Sequence, residues 1–86
     1  MANGIMNNTI AIKKLSTTAT INADGASGPF LTPENIIVAV NCTNSVNVMC
    51  LPWQYGNNGS WYVKFMNWQD LSKITSGSLN IDIFYI

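Results

Sequence analysis

The sequence predicts an all-β fold, a small antiparallel β-sandwich of six or seven short strands that assembles as an oligomer. Three observations carry this. Apolar and polar residues alternate with a period of two along most of the chain. The short segments so marked follow one another at roughly the 8 to 12 residue spacing of an antiparallel sandwich, with turn pairs such as Asp24-Gly25, Asn44-Ser45 and Asn58-Gly59 among them. No segment of ordinary helical length carries a repeating apolar face.

Residues 1–8 form a polar, Asn-rich lead, and residues 9–86 form the domain. In residues 9–15, Ile10 and Ile12 share one side while Ala11 and Lys13 share the other, a strand signal. Residues 17–23 are rich in β-branched side chains and end at the turn pair Asp24-Gly25, so a second strand is expected there. Ser27-Gly28-Pro29 continues the loop. Pro33 fixes its own φ and keeps Thr32 out of helical geometry, which makes residues 31–35 a turn.

The alternation is clearest next. Ile36, Val38, Val40 and Cys42 alternate with Ile37, Ala39 and Asn41, and Val46, Val48 and Cys50 alternate with Asn47, Met49 and Leu51. A hairpin closed on Asn44-Ser45 is expected, with Pro52 ending its ladder by removing a donor. Residues 53–55 then form a short strand joined to residues 60–66 by Gly56-Asn57-Asn58-Gly59, whose composition suits positive φ. In the second of these strands Trp61, Val63 and Phe65 share the core face, while Tyr62, Lys64 and Met66 share the other. Residues 67–75 read as a loop. Residues 79–86 are the last strand, with Leu79, Ile81, Ile83 and Tyr85 inward and Asn80, Asp82, Phe84 and Ile86 outward.

Composition limits the function. Among 86 residues there are four lysines, no arginine and four acids, so the net charge is zero and the field that attracts nucleic acid is absent. A domain near this size removes only about 60 to 65% of its unfolded surface from water. Its polar surface is made of Asn, Ser and Thr, which offer little charge repulsion against self-association. Phe84 and Ile86, apolar and outward on the last strand, are the expected oligomer interface. The longest apolar stretch, residues 36–40, is far short of the twenty or so needed to cross a bilayer, so no transmembrane segment and no membrane insertion are expected. Nor is a secretory signal legible at the start.

Catalysis and cofactors are not expected. There is no His for proton transfer or metal binding, and no CxxC spacing. Asp24 belongs to a turn and Asp82 points outward, so paired carboxylates are not supplied. In the expected hairpin Cys42 falls opposite Asn47, not Cys50, which favours two buried free thiols. A wider loop that lets the thiols meet is the alternative. The Asn-x-Ser/Thr triplets at Asn7, Asn41 and Asn58 are what an Asn-rich composition produces by chance. Trp53, Tyr55, Tyr62 and Trp68 are the candidate ligand-binding residues, because flat rings beside amides can stack on sugars. The competing reading of these rings is core on one side and subunit contact on the other.

The motif order Thr17-Thr18-Ala19-Thr20-Ile21-Asn22-Ala23-Asp24-Gly25, Ile36-Ile37-Val38-Ala39-Val40-Asn41, Gly59-Ser60-Trp61-Tyr62-Val63-Lys64 and Leu79-Asn80-Ile81-Asp82-Ile83-Phe84-Tyr85-Ile86 resembles small β-rich terminal modules of bacteriophage tail-fibre and other virion-appendage proteins. The likeness covers roughly residues 17–86 and lies in arrangement. It implies a homotrimeric structural protein on the virion, contacting other virion proteins and, for host attachment, host-surface polysaccharide. A small lectin-like carbohydrate-binding module is the alternative function.

Overall fold

The computed structural model describes residues 11–54 and 59–86. They form six strands: β1 (Lys13–Thr20), β2 (Ala26–Ser27), β3 (Ile37–Cys42), β4 (Val48–Gln54), β5 (Trp61–Asn67) and β6 (Ser78–Tyr85). These build two antiparallel three-stranded sheets, ordered β1-β6-β3 and β2-β5-β4, with no helix among the described residues. None of the described residues therefore forms a helix long and apolar enough to cross a membrane.

Each sheet is organised by its middle strand. In β6, Ile81 and Ile83 are fully buried; in β5, Val63 and Phe65 are. Ala19, Ile21 and Ile37 complete the buried cluster, and Trp61 and Leu79 pack against it half-buried. The alternation read in these two strands thus names their inner faces correctly. A period of two puts every second side chain on one face, and only that face loses its water. The Trp61 indole keeps its polar end satisfied by donating from Nε1 to the Asn35 carbonyl at 2.6 Å.

The turn after β1 follows its residues closely. Asn22 Oδ1 accepts from the Asp24 and Ala26 amides at 2.9 and 3.1 Å, an Asx turn. Gly25 then takes φ +78°, and its carbonyl accepts the Phe65 amide at 2.8 Å, bringing β2 onto β5. A single strand, β1, replaces the two expected over residues 9–23, because nothing at Ser16 interrupts the ladder: Lys13↔Tyr85 through Thr20↔Ser78 is one register. Residues 1–10, including the Asn-rich lead and Ile10, lie outside the described residues.

Three expectations are corrected. First, β3 and β4 do not form a hairpin: β3 pairs with β6 and β4 with β5, so residues 43–47 carry the chain from one sheet to the other. Alternation says which face a strand buries, not which strand it pairs with. Second, Pro52 does not end a strand; it lies within β4 opposite Val63. β4 is an edge strand, where proline is tolerated. Third, Val38 does not share a face with Val40. A register shift between Ile37 and Ala39 inserts Val38 as a bulge, leaving it 54% exposed while Ile37 is buried.

The β4–β5 pairing includes the expected hairpin, with Trp53 opposite Tyr62 and Gln54 opposite Trp61. Its turn residues Gly56, Asn57 and Asn58 fall outside the described residues, as does Tyr55. Asn67 still belongs to β5, and residues 68–75 are irregular apart from one bridge, Met66↔Lys73, in agreement with the expected loop.

Candidate functional site

The outer face of the first sheet is divided along its length. At one end Ser16, Thr18, Thr43, Asn80 and Asp82 surround an open groove of about 300 Å³. The Ser16 hydroxyl donates to the Asp82 carboxylate at 2.6 Å and that of Thr18 to Asn80 Oδ1 at 3.0 Å. Asn80 is held further, its N–H donating to Asn44 Oδ1 at 3.0 Å and its carbonyl accepting from the Thr43 hydroxyl at 3.2 Å. These are cross-strand pairs of the kind that stabilise a sheet.

The other end is apolar. Phe84 and Ile86 lie half-buried along the middle strand, pointing outward as their alternation requires. Ile36 exchanges both backbone bonds with Ile86 at 2.9 Å, and the bulged Val38 lies opposite Phe84 beside Ala39. On the far side the β1 register, continued by one residue, sets Ile12 opposite Ile86. Ile12, Ile36 and Val38 are 58, 57 and 54% exposed, so an apolar surface crosses all three strands, with Lys14 beside it opposite Phe84. The sequence named Phe84 and Ile86 but not the residues that flank them. For Ile36 and Val38 the signal is the unbroken apolar run 36–40, longer than a strand with one buried face needs.

On the outer face of the second sheet, the register groups Met49, Leu51 and Trp53 of β4 with Tyr62, Lys64 and Met66 of β5. The Trp53 and Tyr62 rings meet at a centroid distance of 6.2 Å, tilted by 45°. Lys64 Nζ stands 4.7 Å above the Trp53 ring, a cation–π contact over one face of the indole. Trp68 is not part of this group. It follows the end of β5, about 20 Å along the strand from Tyr62 at some 3.4 Å per residue, with Nε1 donating to Asn47 Oδ1 at 2.8 Å. Of the four residues expected to bind ligand, the structure therefore brings Trp53 and Tyr62 together and sets Trp68 apart.

The acids are dispersed. Asp70 is held below the usual carboxylate range by the Ser72 hydroxyl and the Ser72 amide, and Glu34 by a bond from its own backbone and one from Thr32. Both are local turn contacts. Among the described residues, no three of His, Cys, Asp and Glu gather where a metal ion could be held.

Cys42 and Cys50 are free thiols at the rim of the core, half-buried instead of fully so. Burial, with a smaller contribution from Cys42, pushes the Cys50 thiol up from 9.0 to about 11. Because the thiolate is the nucleophile, alkylation of Cys50 at pH 8 is expected to be about 100-fold slower in the folded chain than in the urea-unfolded chain. Mass-resolved iodoacetamide labelling reads this, and equal rates in the two states would contradict it. The sign for stability follows: the folded state holds this proton more tightly, so the contribution is complete below pH 9 and declines as pH rises toward about 11.

Comparison with known protein families, with characterised proteins and with solved structures finds no match for this chain.

Proposed function

We propose that the chain is a structural module that assembles with copies of itself, using the apolar end of the first sheet as its subunit contact. The observation that carries this reading is the surface made by Ile12, Ile36, Val38, Phe84 and Ile86. Contiguous apolar surface rimmed by polar residues marks interaction sites. A second copy is the occupant the chemistry favours, since a chain of zero net charge does not repel itself. The patch, with one lysine, Lys14, set opposite Phe84, offers little to select a strongly acidic or basic partner. The setting proposed, a virion appendage with three-fold assembly, rests on the resemblance in motif order, and finding the chain in purified phage particles with a specific antibody tests it.

Val38→Asp tests the contact. Val38 is a bulge residue outside the buried core, so the fold is expected to survive, as read by circular dichroism. Self-association measured by sedimentation or light scattering is expected to weaken by about tenfold or more, the loss of roughly 1.4 kcal/mol or more from one buried side chain. A wild-type chain that stays monomeric at high micromolar concentration, or a variant that assembles as the wild type does, would remove the proposal.

A further inference from the structure

Two sheets of three strands leave four edges, and unpaired strand edges invite pairing with another chain unless something blunts them. Three of the four are blunted here. β2 is two residues long, β3 carries the bulge at Val38, and β4 carries Pro52. β1 is different: eight residues in one unbroken register, with lysines only at its first two positions. Among the described residues, nothing pairs with its far side.

The hydrogen bonds show which groups that edge presents. The Ile21 amide donates to Gly77, across the β1–β6 ladder, at 2.9 Å. Bonding alternates along an antiparallel pair, so Lys13, Leu15, Thr17 and Ala19 also turn their amides and carbonyls toward β6. Lys14, Ser16, Thr18 and Thr20 then turn theirs to the open edge. The Ile36–Ile86 exchange on the other side of β6 has the parity this requires.

From this we infer that β1 is a second self-association site, pairing antiparallel with the β1 of another copy about a two-fold axis at Thr17. That register is self-complementary. Ser16 falls opposite Thr18 of the second copy and Lys14 opposite its Thr20, so every outward amide and carbonyl of the four residues gains a partner. Leu15 falls opposite Ala19, and no lysine meets a lysine. Threonine-rich strands suit such pairing, since β-branched side chains favour the extended backbone. The product is a continuous six-stranded sheet, an isologous contact. Its two apolar patches lie at opposite ends of one face and remain uncovered, so this contact is independent of the one proposed above.

Amide hydrogen exchange by NMR at low and high protein concentration reads the inference residue by residue. The amides of Lys14, Ser16, Thr18 and Thr20 are expected to exchange at least about tenfold more slowly in the assembled protein than in the dilute one. Those of Leu15, Thr17 and Ala19 are expected to be protected in both. Thr18→Pro removes an outward amide without touching a backbone bond to β6, losing there only the hydroxyl bond to Asn80, and is expected to weaken this association by about tenfold or more. Thr18→Lys keeps the amide and sets a charge diagonal to Lys14 of the second copy, with the same expected direction should the proline variant fold poorly. Val38→Asp is expected to leave the alternate protection in place, which separates this contact from the apolar one. Unprotected even-numbered amides in the assembled protein would overturn the inference. So would even-numbered amides already protected in the dilute monomer, since a segment of the same chain would then occupy the edge.

Discussion

Phe65→Ala is expected to remove about 3 to 5 kcal/mol of unfolding free energy, the cost of emptying a buried aromatic site that the surroundings only partly refill. Phe65 has no exposed surface and sits on the middle strand of its sheet. Its backbone is committed as well: its amide donates to Gly25 at 2.8 Å and its carbonyl accepts the Ile74 amide at 3.2 Å. The side chain therefore cannot be replaced by a shift of the strand, because such a shift would break both bonds. Domains hold about 0.05 to 0.15 kcal/mol per residue, so a chain of 86 residues holds roughly 4 to 13 kcal/mol. The substitution takes a large part of that total, and the variant is expected to be marginal or unfolded at 37 °C. Urea titration followed by circular dichroism measures it. A loss below 1 kcal/mol would mean that the two sheets close on the cavity.

The inner faces of β5 and β6 were legible in the sequence because those strands are central and one face of each faces the core without interruption. Trp61, Val63 and Phe65, and Ile81 with Ile83, needed only a period of two to be placed. The partnering of β3 and β4 was not legible. Both bury one face against the same core, and five intervening residues suit a corner between sheets as well as a hairpin loop. Choosing between them depends on whether β6 and β5 are available as partners, which is a property of distant sequence. Val38 was misplaced for a related reason: a bulge breaks the period locally, and nothing in Ile36-Ile37-Val38-Ala39-Val40 announces where the extra residue goes. Pro52 suggests a stop because a central strand would be stopped by it, whereas an edge strand such as β4 is not. The aromatic segment was legible only in part. Trp53 and Tyr62 meet because their strands pair, while Trp68 lies past the end of β5 and was grouped with them only by nearness in sequence.

The Trp53–Tyr62 pair rests on a glycine that the sequence marked only as part of a loop. Gly28 has φ +148°, a region that side-chain-bearing residues rarely adopt, and a Cβ there would stand 2.8 Å from Tyr62 Cδ2, 3.1 Å from Tyr62 Cγ and 3.0 Å from the Trp61 carbonyl oxygen. Gly28→Ala is therefore expected to cost about 2 to 4 kcal/mol, from backbone strain and overpacking together. The carbonyl cannot retreat freely, since it accepts the Phe30 amide at 3.0 Å. Nor can the ring move as a flexible tip would, because the crowding reaches Cγ, next to the backbone. Tyr62→Ala made in the Gly28→Ala background removes the ring contact but neither the strained φ nor the carbonyl contact. A partial rescue follows, with a favourable coupling of about 1 kcal/mol in a double-mutant cycle of urea midpoints. Strict additivity would show that the backbone alone sets the cost, and a Gly28→Ala loss under about 0.5 kcal/mol would show that neither constraint holds. Tryptophan emission offers a second readout. A Tyr62 ring pushed off Gly28 is also displaced against Trp53, so the alanine variant is expected to alter the indole environment while Val38→Asp, on the opposite sheet, leaves it unchanged.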